Sequence, residues 1–197
     1  MKTNAMTKNI SVLRKIAFTA LFAALCCVGT LAISIPLPTG YANVGDVFVL
    51  LAGWLLGPVY GVIAAGLGSG LADVFAGFAI YAPATLVIKA CVALIGFFIR
   101  VLLRKAIKKM PDVVAIIIAA ILAEAFMVLG YFTYETILYG VETASLALFG
   151  NGMQGLLCCA CGVAVACALK PIKFIHRAFP LFDGGAFINK AKPTAEE

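Results

Sequence analysis

Twenty residues run from Ile16 to Ile35 without a single charge. A helix of that length rises about 30 Å, the thickness of the hydrocarbon core of a bilayer. Comparable apolar stretches recur at 44–57, 58–78, 83–104, 113–139 and 149–170, and with the first, at 13–34, they predict six membrane spans. The second is short and turns directly into the third at Gly57–Pro58, where proline is acceptable at a helix start. Lys2, Lys8, Arg14 and Lys15 precede the first stretch as they would in a signal peptide, but a signal h-region is only about 7–15 residues long. The length predicts a transmembrane helix instead.

Composition agrees. The chain is 63% hydrophobic and 12% charged, with mean hydropathy +1.08, where soluble domains are about half apolar and a quarter charged. The net charge of +6 does not read as a nucleic-acid surface, because the bases sit at the ends of apolar segments. One group precedes the first span. Arg100, Arg104, Lys105, Lys108 and Lys109 lie between the fourth and fifth, and Lys170, Lys173, Arg177, Lys190 and Lys192 follow the sixth. Six spans put all three groups on one side, which the positive-inside rule makes the cytoplasm. The expectation is an all-α membrane protein, a six-helix bundle over 13–170, with a segment 1–12 and a tail 171–197 both cytoplasmic.

Fourteen of the fifteen basic residues are thereby placed, and the exception is Lys89. It lies in YAPATLVIKAC (81–91) with no acid within ten residues on either side. A lone ammonium in hydrocarbon costs at least a few kcal/mol, so it needs a partner in the fold, a ligand, or a path to water. The outer half of the bundle also gathers Asp46, Asp73, Glu135 and Glu142, with Glu124 mid-span. Among its polar and aromatic residues are Tyr41, Asn43, Tyr81, Tyr131, Tyr134, Asn151 and Gln154. Polar side chains at membrane depth face a bundle interior or a watery cavity, and the pattern predicts a pocket open to the outside. Glu124, Tyr131 and Glu135, spaced by seven and four, share one helix face with Met127 and Val128. Turned toward Lys89, that stripe would supply its counter-charge. The plainer alternative is a Lys–Glu pair that only pins two helices together.

Other features point to packing. Gly66 and Gly70 allow close helix approach rather than forming a dinucleotide fingerprint, since no strand precedes them. The seven cysteines, four within CCACGVAVAC (158–167), read as small packing residues rather than a metal or redox centre. There is no GxxxxGK[ST], no HExxH and no nucleophile elbow, and the one histidine, His176, lies in the predicted tail. An enzyme is not expected, nor a cofactor.

In sequence, GDVFVLLAGWLLGPVYGVIAAGLGSGLADVFAG (45–77), YAPATLVIKA (81–90), MVLGYFTYE (127–135) and GNGMQG (150–155) resemble the substrate-capture (S) components of bacterial energy-coupling factor (ECF) vitamin transporters. The similarity is greatest to the riboflavin-type or hydroxymethylpyrimidine/pyridoxine-type subfamily. That resemblance implies a six-helix bundle in the cell membrane, binding a vitamin or precursor in an outward-facing pocket closed by the loop after span one, here SIPLPTGYANVGD (34–46). It implies a transmembrane coupling subunit and two cytoplasmic ATPases as partners. The alanine pattern of span one, matched here by Ala20 and Ala24, would dock on the coupling subunit. The substrate stays open: Lys89 beside acids suits a hydroxylated pyridine or pyrimidine, or a carboxylate such as pantothenate. Tyr41, Trp54, Tyr81 and Tyr131 are candidates to stack a flat ring, Trp54 being the one placed toward the cytoplasmic half. Two other classes compete. One is an autonomous secondary transporter with a coupling proton on Asp46, Asp73, Glu124 or Glu135, although no inverted repeat is visible. The other is a structural membrane protein whose polar residues only hold helices together.

Overall fold

In the computed structural model the described residues are 2–37, 40–107 and 109–182, of which 2–11, 37 and 40 are described as backbone only. The tail beyond Phe182, with Lys190 and Lys192, lies outside them, as does Lys108. Among the described residues five helices are long and apolar enough to cross a membrane: α1 (Lys2–Ala32), α2 (Asp46–Phe75), α3 (Ala82–Ala106), α4 (Asp112–Tyr139) and α5 (Val141–Leu169). A short α6 (Lys173–Ala178) follows.

The difference between five helices and the six expected lies at Gly57. Its backbone, at φ 81° and ψ −168°, is a conformation open essentially only to glycine, and Pro58 restarts the helix with its fixed φ. The chain folds back there: a Cβ on Gly61 would stand 2.3 Å from the Ala52 carbonyl oxygen, a contact impossible along one straight helix. α2 is therefore two antiparallel arms. The first, from Asp46 to Leu56, is only about 16 Å long. It crosses about half of a bilayer, so Asp46 stands near mid-depth.

Above it sits an element the sequence reading treated as loop. β1 (Ser34–Leu37) and β2 (Gly40–Asn43) form an antiparallel hairpin, pairing Ser34 with Asn43 and Pro36 with Tyr41. Pro36 is tolerated because a two-stranded ribbon has only edges. A purely helical fold is thus corrected by one hairpin. Period-two alternation puts Tyr41 and Asn43 on the same side of β2. α5 also starts earlier than expected of the last span, at Val141 directly after Gly140 (φ 84°), with Glu142 favourably placed in its first turn.

α2 is the central element, packed on α1, α3 and α5. Glycines set the close approaches: Gly53 lies against the Ala93 carbonyl of α3, Gly68 against Ala23 of α1, and Gly66 and Gly70 against the backbone of α3 at Leu86 and Ala82. Trp54 is fully buried and donates Nε1–H to the Gly96 carbonyl at 3.1 Å, which makes it a core residue rather than a ring-stacking one. α1 is peripheral, with 22% of its apolar window buried against 61% for α2.

At one end of the bundle, Asp112 binds three cations: Arg100 through two hydrogen bonds (3.0 and 2.7 Å), Lys170 at 2.5 Å and Arg104 at 3.3 Å. This basic end also holds Arg14, Lys15 and the Gly57 turn. The hairpin and residues 76–81 mark the other end.

Candidate functional site

The floor of the site is the pair that answers the question posed by Lys89. Its ammonium lies 2.7 Å from each carboxylate oxygen of Asp46, with Lys89 2% and Asp46 0% exposed. Asp46 opens α2, where the helix dipole favours a negative charge. The expected counter-charge from the Glu124–Glu135 stripe is therefore corrected: Asp46 supplies it, because the half-length arm brings that carboxylate down to the level of Lys89. The stripe does face inward, and the Tyr131 ring lies under the ammonium at 5.1 Å.

Gln154 of α5 ties the floor to the hairpin. Its Nε2 donates to Asp46 Oδ2 at 2.6 Å, and its Oε1 accepts from the Asn43 backbone N–H at 2.8 Å. The Asn43 side chain in turn accepts from the Gly45 N–H at 2.9 Å, shaping the entry into α2. Higher up, the Tyr41 hydroxyl donates to Asp73 Oδ1 at 2.6 Å, while Thr85 and Tyr131 share a hydrogen bond of 2.9 Å. Burial, and then the bond to Asp73, pushes the Tyr41 phenol well above its ordinary range, so it serves as a donor.

These groups surround a cavity of about 30 Å³ lined by Tyr41, Asn43, Asp73, Tyr81, Tyr131, Glu135, Asn151 and Gln154, together with Phe78 and Thr85. That is room for about one water, so a larger guest requires the lining to part. Of the thirteen polar and aromatic residues gathered there by the sequence reading, eight line it, Asp46 and Lys89 form its floor, and Tyr134 and Glu142 are not part of its lining. Glu124 is the thirteenth. It is 3% exposed, packs against Gly155, and has no hydrogen-bond partner on either carboxyl oxygen. Buried polar groups are nearly always satisfied, so an orphaned carboxyl marks a place where a donor belongs. Thr85 and Phe78 were missed, though Thr85 stands one turn before Lys89 on the same face and was findable from that spacing. Cys158 also reaches the site, its thiol 3.5 Å from the Asn43 carbonyl.

A second space, of about 290 Å³, opens between Leu31, Ser34, Pro36 and Ala76, and it too is walled by Tyr41 and Phe78. Those two rings, with centroids 5.1 Å apart, partition it from the inner cavity.

Such an arrangement defines a polytopic membrane protein that holds a polar, acid-rich cavity near mid-depth beneath a hairpin. Residues 10–171 match the family described as ECF-type riboflavin transporter, S component. The chain belongs to that family: it is a substrate-binding subunit of a transporter, not an enzyme. An uncharacterized protein from Pyrococcus woesei is 35% identical over 132 residues, covering 66% of this chain and 83% of its own length. The solved structure reported as "Structure and mechanism of the S component of a bacterial ECF transporter" shares the fold, with TM-score 0.63 at 22% identity over 80% of this chain and 95% of that one.

Proposed function

We propose that this subunit captures riboflavin, or a similarly flat and hydroxylated heteroaromatic such as hydroxymethylpyrimidine or pyridoxine, in the cavity beneath the hairpin. It faces the outside of the cell membrane, with the basic end and both termini in the cytoplasm. The observation that carries the substrate class is the charge balance of the site. Four carboxyls (Asp46, Asp73, Glu124 and Glu135) face a single cation, Lys89, which is already held by Asp46. A carboxylate ligand such as pantothenate would meet like charge there, whereas a ligand rich in hydroxyl and N–H donors would satisfy Glu124. Tyr41, Tyr81 and Tyr131 offer faces for a ring.

Ligand pockets usually measure about 300–1,000 Å³, so binding requires the Tyr41–Phe78 partition to open, joining the two spaces as the hairpin lifts. The small-residue stripe of α1, with Ala20 and Ala24 both exposed, lets a coupling subunit approach closely. Two ATPases acting through that subunit supply the energy.

Titration of the purified chain with riboflavin, followed by quenching of flavin fluorescence, tests the substrate, with hydroxymethylpyrimidine, pyridoxine and pantothenate as competitors. Saturable binding that pantothenate fails to displace is expected. Pantothenate binding in preference to every heteroaromatic would overturn the assignment. Uptake into vesicles lacking the ATPase partners, driven by a proton gradient alone, would favour an autonomous transporter instead.

A further inference from the structure

A further space among the described residues lies at the opposite end from the candidate site. It is a trough of about 310 Å³ between α1, the Gly57 turn and residues 178–181. Its walls are apolar, with Phe18, Leu55, Val59, Phe179 and Leu181 among them, and its rim carries Arg14, Lys15 and Tyr60. The Lys15 ammonium stands 5.6 Å from the centre of the Tyr60 ring, which keeps it at the rim. Other cations at this end, Arg100, Arg104 and Lys170, are tied to Asp112. Arg14 and Lys15 have no acidic partner among the described residues. The trough therefore presents two positive charges, uncompensated among the described residues, over an apolar bed.

Depth decides what would meet them. From Lys15 to the end of α1 at Ala32 the helix rises about 26 Å, close to the hydrocarbon thickness. With that end of α1 at one face of the membrane, Lys15 stands at the opposite headgroup boundary and the trough opens just inside it. A group that suits both halves is negatively charged at the surface and aliphatic below.

We propose that the trough is a binding site for one anionic phospholipid, its phosphate held by Arg14 and Lys15 and the start of an acyl chain lying along Phe18, Val59 and Phe179. This site is separate from the vitamin cavity and does not depend on the substrate reading. Basic pockets between transmembrane helices are a recognised mode of anionic headgroup binding, and each basic residue near the surface contributes about a 5-fold preference.

Native mass spectrometry of the detergent-solubilised full chain, with dioleoyl phosphatidylglycerol against dioleoyl phosphatidylcholine, reads this preference directly. The phosphatidylglycerol adduct should dominate by about 25-fold, given two cations at about 5-fold each. Arg14→Gln/Lys15→Gln should abolish the preference. Lys105→Gln/Lys109→Gln, which removes the same charge from the same end outside the trough, should keep it. Inorganic phosphate should not displace the lipid. Equal adducts of the two lipids in the unmodified chain would overturn the proposal, as would a preference that survives Arg14→Gln/Lys15→Gln or full displacement by inorganic phosphate. A trough that serves a partner's helix instead would give the first of these results.

Discussion

Replacing Lys89 with methionine separates an ion pair from its surroundings, and the size of the effect follows from the geometry. At 2.7 Å the attraction is about 6 kcal/mol at an effective dielectric of about 20. Desolvation of the two ions, several kcal/mol each, cancels most of it. The net worth of the intact pair is thus small, but removing one partner leaves Asp46 buried at 0% exposure, with Gln154 its one remaining side-chain donor among the described residues. Breaking a buried pair in this way costs about 3–5 kcal/mol, whereas replacing both members is often close to neutral. Lys89→Met alone should be strongly destabilising. Asp46→Asn/Lys89→Met, which keeps an acceptor for Gln154, should recover most of the loss.

Trp54, the only tryptophan, is fully buried in the first arm of α2 and reports unfolding by its fluorescence. At roughly 2–4 °C per kcal/mol for a chain of this size, the single variant should melt about 6–20 °C lower in detergent. The double variant should lie within a few degrees of the parent. A double variant no better than the single one would refute the pairing as described. Rescue by Glu124→Gln in place of Asp46→Asn would identify Glu124 as the true counter-charge. An unchanged single variant would mean that Lys89 reaches water by a path the fold does not show.

Three further outcomes are expected. Tyr41→Phe removes the 2.6 Å bond to Asp73; a hydrogen bond to a charged group is worth about 1.5–3 kcal/mol, so ligand should dissociate at least 10-fold faster in stopped-flow, and an unchanged rate would show that this bond does not hold the site closed. Gly57→Ala forces an alanine to φ 81° and should cost about 1–3 kcal/mol in thermal unfolding. Leu181→Ala should not rescue it, although the new Cβ would lie 2.5 Å from the Leu181 side chain, because the strain is in the backbone. Ala20→Leu or Ala24→Leu should leave ligand affinity intact while abolishing vesicle uptake with the coupling and ATPase subunits; normal complex assembly in pull-down would remove the docking role from α1.

The helices were legible because each is a long apolar stretch with its own ends, and the Gly57–Pro58 reversal is a local signal. The stripe of Glu124, Tyr131 and Glu135 was legible for the same reason, since its spacing sets its face. The partner of Lys89 was not. Asp46 is 43 residues away, and nothing local says that the first arm of α2 stops at half the membrane thickness. The hairpin was hidden by Pro36, Pro38 and Gly40, which read as loop; pairing forms because two strands need no proline N–H in a central ladder. Glu124 was placed in the candidate site from the sequence, but its missing hydrogen bonds are visible only once every neighbour is in position.

The half-length arm also decides which part of the site can move. The hairpin is held at the cavity by the Tyr41 bond to Asp73, the Asn43 N–H bond to Gln154 and a weaker thiol bond from Cys158 to the Asn43 carbonyl, which together are worth a few kcal/mol. Three residues further on, Asp46 is locked to Lys89 and Gln154 in the core, where separation leaves buried charges unpaired. Any opening to admit a ligand therefore breaks at the hairpin and stops at the start of α2. Gly45 is the joint between the two: its N–H is held by Asn43, and a Cβ there would lie 2.1 Å from the Thr30 hydroxyl of α1. Gln154 spans both sides of that joint, with one end on the mobile strand and the other on the fixed carboxylate. Lifting the hairpin frees its Oε1 directly above Asp46 and beside the orphaned Glu124. The acceptors exposed by opening are thus the ones a hydroxyl-rich ligand would satisfy, and closure over such a ligand replaces the lost bonds rather than competing with them.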